Sequence, residues 1–110
     1  MSDDDVGAGR ETRSELSPDQ EAVVRVLEIV NKKGLHARAS AKFVQTVERF
    51  DANVRVTRGN ETVGGTSIMG LMMLAAASGT TITVEASGNE ASAAMDAIAK
   101  LVTSGFGEED

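Results

Sequence analysis

Cysteine is missing from the 110 residues, which excludes disulfides and thiolate metal sites. Tryptophan and tyrosine are missing too, and there are only three phenylalanines, so Val, Ile, Leu, Met and Ala must fill any core. One histidine is too few for a zinc site within one chain, and no metal or other cofactor is expected. Proline occurs once. The longest apolar run, Ile68 to Ala77, is broken by Gly70 and is too short to span a bilayer, so membrane insertion is not expected. The chain starts with acidic residues rather than an apolar stretch, which argues against a signal peptide and for a cytoplasmic location.

The length allows one domain. The formal net charge is −6, but it is unevenly spread. Residues 1–21 carry −5, residues 108–110 carry −3, and residues 22–107 carry +2. Four of the nine bases in the middle, Lys32, Lys33, Arg38 and Lys42, flank the lone His36. This basic patch is small and lacks nearby aromatics for base stacking, so nucleic-acid binding is not expected. The charge division suggests a disordered acidic tail over 1–21, a folded domain over 22–105 and a flexible acidic end over 106–110.

Hydrophobic periodicity supplies the elements between the tails. Ala22 to Val30 reads as a strand in which Val24, Val26 and Val30 alternate with Arg25 and Leu27, with Ile29 blurring the pattern. Ala37 to Phe50 reads as a helix with Phe43, Val44, Val47 and Phe50 buried, completed by Ala39 or Ser40, and with Lys42 facing water. Asn53–Thr57 and Glu61–Gly65 make a hairpin around the turn-like Arg58–Glu61 stretch. Ser67 is a good N-cap for a second helix, worth about 1 kcal/mol. Ile68, Leu71, Met72 and Ala75 form that helix's inner face, which leaves Met69 and Met73 pointing sideways or out. Ser78-Gly79-Thr80 stops it, and Thr81–Ala86 is the last strand. Asn89 caps a third helix over Glu90–Thr103, with a stripe of Ala91, Ala94, Met95, Ile98, Leu101 and Val102. The order β-α-β-β-α-β-α, with one apolar face per strand and one stripe per helix, predicts an α+β fold. Its two layers are helices on one face of a sheet and solvent on the other.

The stretch Gly34-Leu35-His36-Ala37-Arg38 lies where the strand period gives way to the helical one. It puts the histidine on a strand-to-helix loop beside free N–H groups and the positive end of a helix dipole. An imidazole, a nearby arginine and a helix N-terminus together suit a phosphoryl group. Arg38 in a first helical turn is unfavourable for the dipole unless an anion accompanies it.

Those five residues, together with Ser67-Ile68-Met69-Gly70-Leu71-Met72 downstream, resemble the two signatures of the HPr family. These are the histidine phosphocarriers of the bacterial phosphoenolpyruvate-dependent phosphotransferase system. The resemblance spans Val24 to about Val102, and it departs from the family at Ala39, where many members have proline. Alanine is an excellent helix former, so the helix start should survive.

The resemblance implies an open-faced, four-stranded antiparallel sheet in order 1-4-2-3 with all three helices on one side. It implies that Nδ1 of His36 takes a phosphoryl group from the phosphohistidine of enzyme I and passes it to a histidine of a downstream enzyme IIA-type protein. Imidazole suits this as both nucleophile and leaving group. Nearby positive charge should depress the His36 pKa and keep the ring nucleophilic. Arg38 would balance phosphoryl charge, and the N–H groups of Ala37 and Arg38 would hold its oxygens. Ser67 corresponds to the serine that HPr kinase/phosphorylase modifies in many members. Ile68, Met69, Met72, Met73 and Lys42 would form the partner interface of a monomeric carrier, methionine being an adaptable docking residue. Two other classes compete: a regulatory binding module of the same fold acting through Ser67, and a small hydrolase with His36 as base. The second has no other catalytic group converging with it in the sequence.

Overall fold

A computed structural model describes residues 22–108. The acidic stretch 1–21 lies outside the described residues, as do positions 109 and 110. The elements are β1 (Val23–Glu28), α1 (Ala37–Val47), β2 (Asn53–Arg58), β3 (Glu61–Gly64), α2 (Ile68–Met73), β4 (Thr81–Ser87), α3 (Ala91–Thr103) and a closing 3-10 turn, Gly105–Gly107. The strands form one sheet in the order β1-β4-β2-β3, with every neighbouring pair antiparallel. The fold is thus α+β with the strand order that the resemblance implied, and the expected chain order of elements holds.

The helix-side face of the sheet carries Leu27, Val54, Val56, Ile82, Val84 and Ala86, all buried. They pack against Phe43, Val44 and Val47 of α1, Leu71 of α2, and Met95, Ile98 and Val102 of α3. The opposite face is open. There Arg55 pairs with its direct cross-strand partner Glu85 at 2.8 Å, and Thr57 bonds Thr62 at 2.8 Å.

Strand β1 takes the phase opposite to the one its valines suggest. Val24, Val26 and Val30 are exposed, and Leu27 and Ile29 are buried. Val24 lies opposite Glu85 and Val26 opposite Thr83, on the open face. Leu27 lies opposite Ile82 and so joins the core. Because side chains alternate with period two, a single choice of register sends a whole set to one face. β1 is an edge strand, so Arg25 can share the core side with Leu27 by reaching Asp96 of α3 at 3.6 Å.

Helix boundaries and faces differ from expectation in four places. α1 ends at Val47, leaving Phe50 half-buried, while Thr46 is buried in its place. α2 stops at Met73 because Ala75 adopts φ +53°, a left-handed conformation that a helix cannot pass through. Ala75 is therefore exposed, and Leu74 and Ala76 fill the core instead. Asn89 does not cap α3: the N-cap is Glu90, and Asn89 donates to Asp51 at 3.0 Å.

The folded part also runs past residue 105. Phe106 is fully buried among the core residues, and Glu108 is largely covered, so the stretch 106–108 packs against the domain instead of trailing from it.

Candidate functional site

The loop between β1 and α1 is built on Gly34. It has φ +65°, and a Cβ there would lie 2.3 Å from the Ala76 carbonyl oxygen. That approach lets Leu35 N–H bond the same oxygen at 3.0 Å, which fastens the loop to the segment after α2. Leu35 is buried, and the Ser40 hydroxyl donates back to its carbonyl at 3.2 Å. His36, between these fixed points, is itself the N-cap of α1, with extended backbone. Its Nδ1 accepts from the Arg38 N–H at 3.3 Å. The imidazole therefore takes the place that a serine or aspartate side chain usually fills at a helix start.

His36 keeps 28% of its side-chain surface exposed. It lines a shallow bowl with Lys33, Ala37, Arg38, Lys42, Gly107 and Glu108. The Arg38 side chain is exposed and has no hydrogen bond or ion pair among the described residues. Lys42 is committed otherwise: its ammonium donates to the Phe106 carbonyl at 2.7 Å, so it is half-buried and does not face water freely.

Sequence reasoning missed Glu108 at this site. Its carboxylate lies 2.5 Å from His36 Nε2 and accepts from Asn31 Nδ2 at 3.1 Å. The surroundings of the ring are thus not wholly cationic, as the basic flanks had suggested. Burial works to raise the Glu108 pKa. Hydrogen bonds from Asn31 and His36, and the charges of His36 and Lys42, outweigh it and hold the group below its ordinary value. The signal in the sequence was Phe106, an aromatic residue in an otherwise polar, glycine-rich end. Phe106 has φ +59°, which costs an L-residue roughly 1–2 kcal/mol. Burial of its ring, worth about 1.5–3 kcal/mol, offsets that strain.

Ser67 is exposed and caps α2, its Oγ accepting from Gly70 N–H at 2.9 Å. Ile68, Met69, Met72 and Met73 follow on α2 with 41%, 70%, 40% and 69% exposure, so Ile68 and Met72 are not the core residues that helical spacing suggested. None of the five lines the His36 bowl. The structure thus brings together His36, Ala37, Arg38 and Lys42, and puts Ser67 and the methionines on a separate short helix.

Fold and site together define a class: a small open-faced sandwich that presents one partly exposed histidine at a helix N-terminus. A family model described as "PTS HPr component phosphorylation site" matches residues 23–104. Phosphocarrier protein HPr of Neisseria meningitidis is 54% identical over 82 residues, covering 74% of this chain and 92% of that protein. HPr of Cupriavidus necator is 49% identical over 80 residues, covering 73% and 90%. Among solved structures, HPr-C-His from Thermoanaerobacter tengcongensis is similar with a TM-score of 0.76 and 40% identity, covering 80% of this chain and 99% of that one. The chain belongs to the HPr family of phosphocarrier proteins.

Proposed function

We propose that the protein carries a phosphoryl group on His36, taken from phospho-enzyme I and delivered to a histidine of an enzyme IIA-type acceptor in the cytoplasm. The observation that supports this most is the position of Nδ1 at the start of α1, beside the Arg38 N–H and inside a basic bowl. The Nδ1 lone pair attacks phosphorus in line. The P–N bond of the donor phosphohistidine breaks, and its electron pair returns to the donor ring. Phosphoryl oxygens gather at the N–H groups of Ala37 and Arg38, and the exposed Arg38 guanidinium balances their charge. The same steps in reverse roles discharge the carrier. The exposed Ile68, Met69, Met72 and Met73 form the apolar part of the docking surface of a monomer.

Intact mass after incubation with phosphoenolpyruvate, Mg²⁺ and enzyme I tests this reading. The expected result is one acid-labile phosphoryl group on wild type and none on His36→Ala. An uncharged wild type, beside an active enzyme I control, would refute it.

The exposed Ser67 supports a regulatory reading alongside the first. A phosphate there adds roughly −1.5 to −2 charge at a helix N-terminus, which accommodates it, and repels acidic partner surfaces. HPr kinase/phosphorylase and ATP should label wild type and not Ser67→Ala; equal labelling removes Ser67 from the reading.

A further inference from the structure

Two contacts made by the His36 ring select the same tautomer. Nδ1 faces the backbone N–H of Arg38 and must carry a lone pair there. Nε2 faces the Glu108 carboxylate and must carry the proton. We propose that Glu108 is a positioning residue for phosphoryl transfer, holding the proton on Nε2 so that Nδ1 keeps the lone pair that attacks phosphorus once the Arg38 N–H turns from it to a phosphoryl oxygen. This rests on the carrier reading above and adds to it a group from the far end of the chain.

The carboxylate is held from several sides. Asn31 is buried and uses its amide donor on both the Gly34 carbonyl and Glu108 Oε1, while its own Oδ1 has no partner among the described residues. Lys42 holds the Phe106 carbonyl two residues before the glutamate. Phe106 is locked in the core in a left-handed conformation whose strain its burial offsets. Each of these devices fixes the path of the chain into Glu108. An arrangement needed for packing alone could have ended at Phe106.

The chemistry follows from charge. As Nδ1 bonds phosphorus, the ring gains positive character, and the Nε2–H bond to a carboxylate strengthens. No proton has to move: it stays on Nε2 throughout the attack. A histidine oriented by a carboxylate on its far nitrogen is the same device that hydrolytic triads use for a general base, applied here to a nucleophile.

Two readouts test this on the full chain: long-range proton–nitrogen spectra of the neutral His36 ring in alkaline solution, and the initial rate of acid-labile phosphoryl uptake with enzyme I and phosphoenolpyruvate. Wild type should show a single tautomer, protonated on Nε2. Glu108→Ala should show a tautomer mixture and take up phosphoryl about tenfold more slowly, the scale of losing one charge-assisted hydrogen bond in the transition state. Glu108→Gln keeps an oxygen acceptor for Nε2–H, so it should retain the wild-type tautomer and an intermediate rate.

A wild-type ring protonated on Nδ1 overturns the proposal without any variant. So does Glu108→Ala with either readout at its wild-type value. If wild type takes up no phosphoryl group, the carrier reading falls and this proposal with it. If wild type and Glu108→Ala are charged at equal rates, the proposal alone falls.

Discussion

Replacing Gly34 by alanine should cost far more than the same change at Gly59, and the difference measures how tightly the histidine loop is clamped. Both glycines sit in left-handed backbone, with φ +65° at Gly34 and +61° at Gly59. Alanine in that region costs roughly 1–2 kcal/mol at either position. At Gly59 the added methyl meets nothing within 4 Å, so the cost ends there. At Gly34 it would lie 2.3 Å from the Ala76 oxygen and 3.0 Å from Ala77 Cα, both backbone atoms that cannot step aside as a side chain can. Relief requires separating the loop from the segment after α2, which breaks the 3.0 Å Leu35–Ala76 hydrogen bond and disturbs buried Leu35. Adding about 1–3 kcal/mol for that loss gives roughly 2–5 kcal/mol in total. At about 4–8 °C per kcal/mol in a domain of this size, Tm should fall by roughly 8–40 °C for Gly34→Ala. For Gly59→Ala the same scale gives a fall of about 4–16 °C. Urea unfolding followed by far-ultraviolet circular dichroism is the suitable assay, since the chain has no tryptophan or tyrosine to report by fluorescence. Equal destabilisation of the two variants would refute the clamp. Phosphoryl uptake by Gly34→Ala, measured well below its Tm, should also fall, because the displaced loop carries His36.

Phe106→Ala should destabilise the domain by about 3 kcal/mol, near the lower end for a core phenylalanine because it lies close to the end of the folded part; urea unfolding would show it. It should also free Glu108, visible as loss of the single His36 tautomer in the ring spectra. Acid should release the Glu108 contact late. With the folded pKa depressed, the contact is fully present above the ordinary glutamate value and is lost only as pH falls through the lower, folded value. A carbon-detected carboxyl titration should therefore place Glu108 below an unstructured glutamate, and a midpoint at or above it would contradict the hydrogen-bonded arrangement. Met69→Asp should weaken enzyme I binding and leave stability within about 0.5 kcal/mol of wild type, since the side chain is 70% exposed; unchanged transfer kinetics would remove Met69 from the docking surface.

Much of the molecule was legible because the relevant physics is short-range. Helical and strand periods fixed the type and order of the elements. The switch of period at Gly34–Arg38 put His36 at a helix start, and Ser67 capped the helix it was expected to cap. Strand order was not legible in the pattern; it came through the resemblance to a family, because pairing depends on which neighbours each strand finds. The phase of β1 was not legible for a related reason. Alternation says that two faces exist, but Leu27 opposite Ile82 decides which of them meets the helices. The early end of α2 was hidden too, since nothing local in a Leu-Ala-Ala-Ala run announces a left-handed alanine.

Glu108 marks the limit most sharply. From the sequence alone it is one of three acids in a polar end. In the structure it meets His36 across a separation of 72 residues. Local sequence determined that a histidine would stand at the mouth of a helix among basic residues. Only tertiary packing, by burying Phe106 and so fixing the path of the chain behind it, decided that a carboxylate would stand against the far side of that ring.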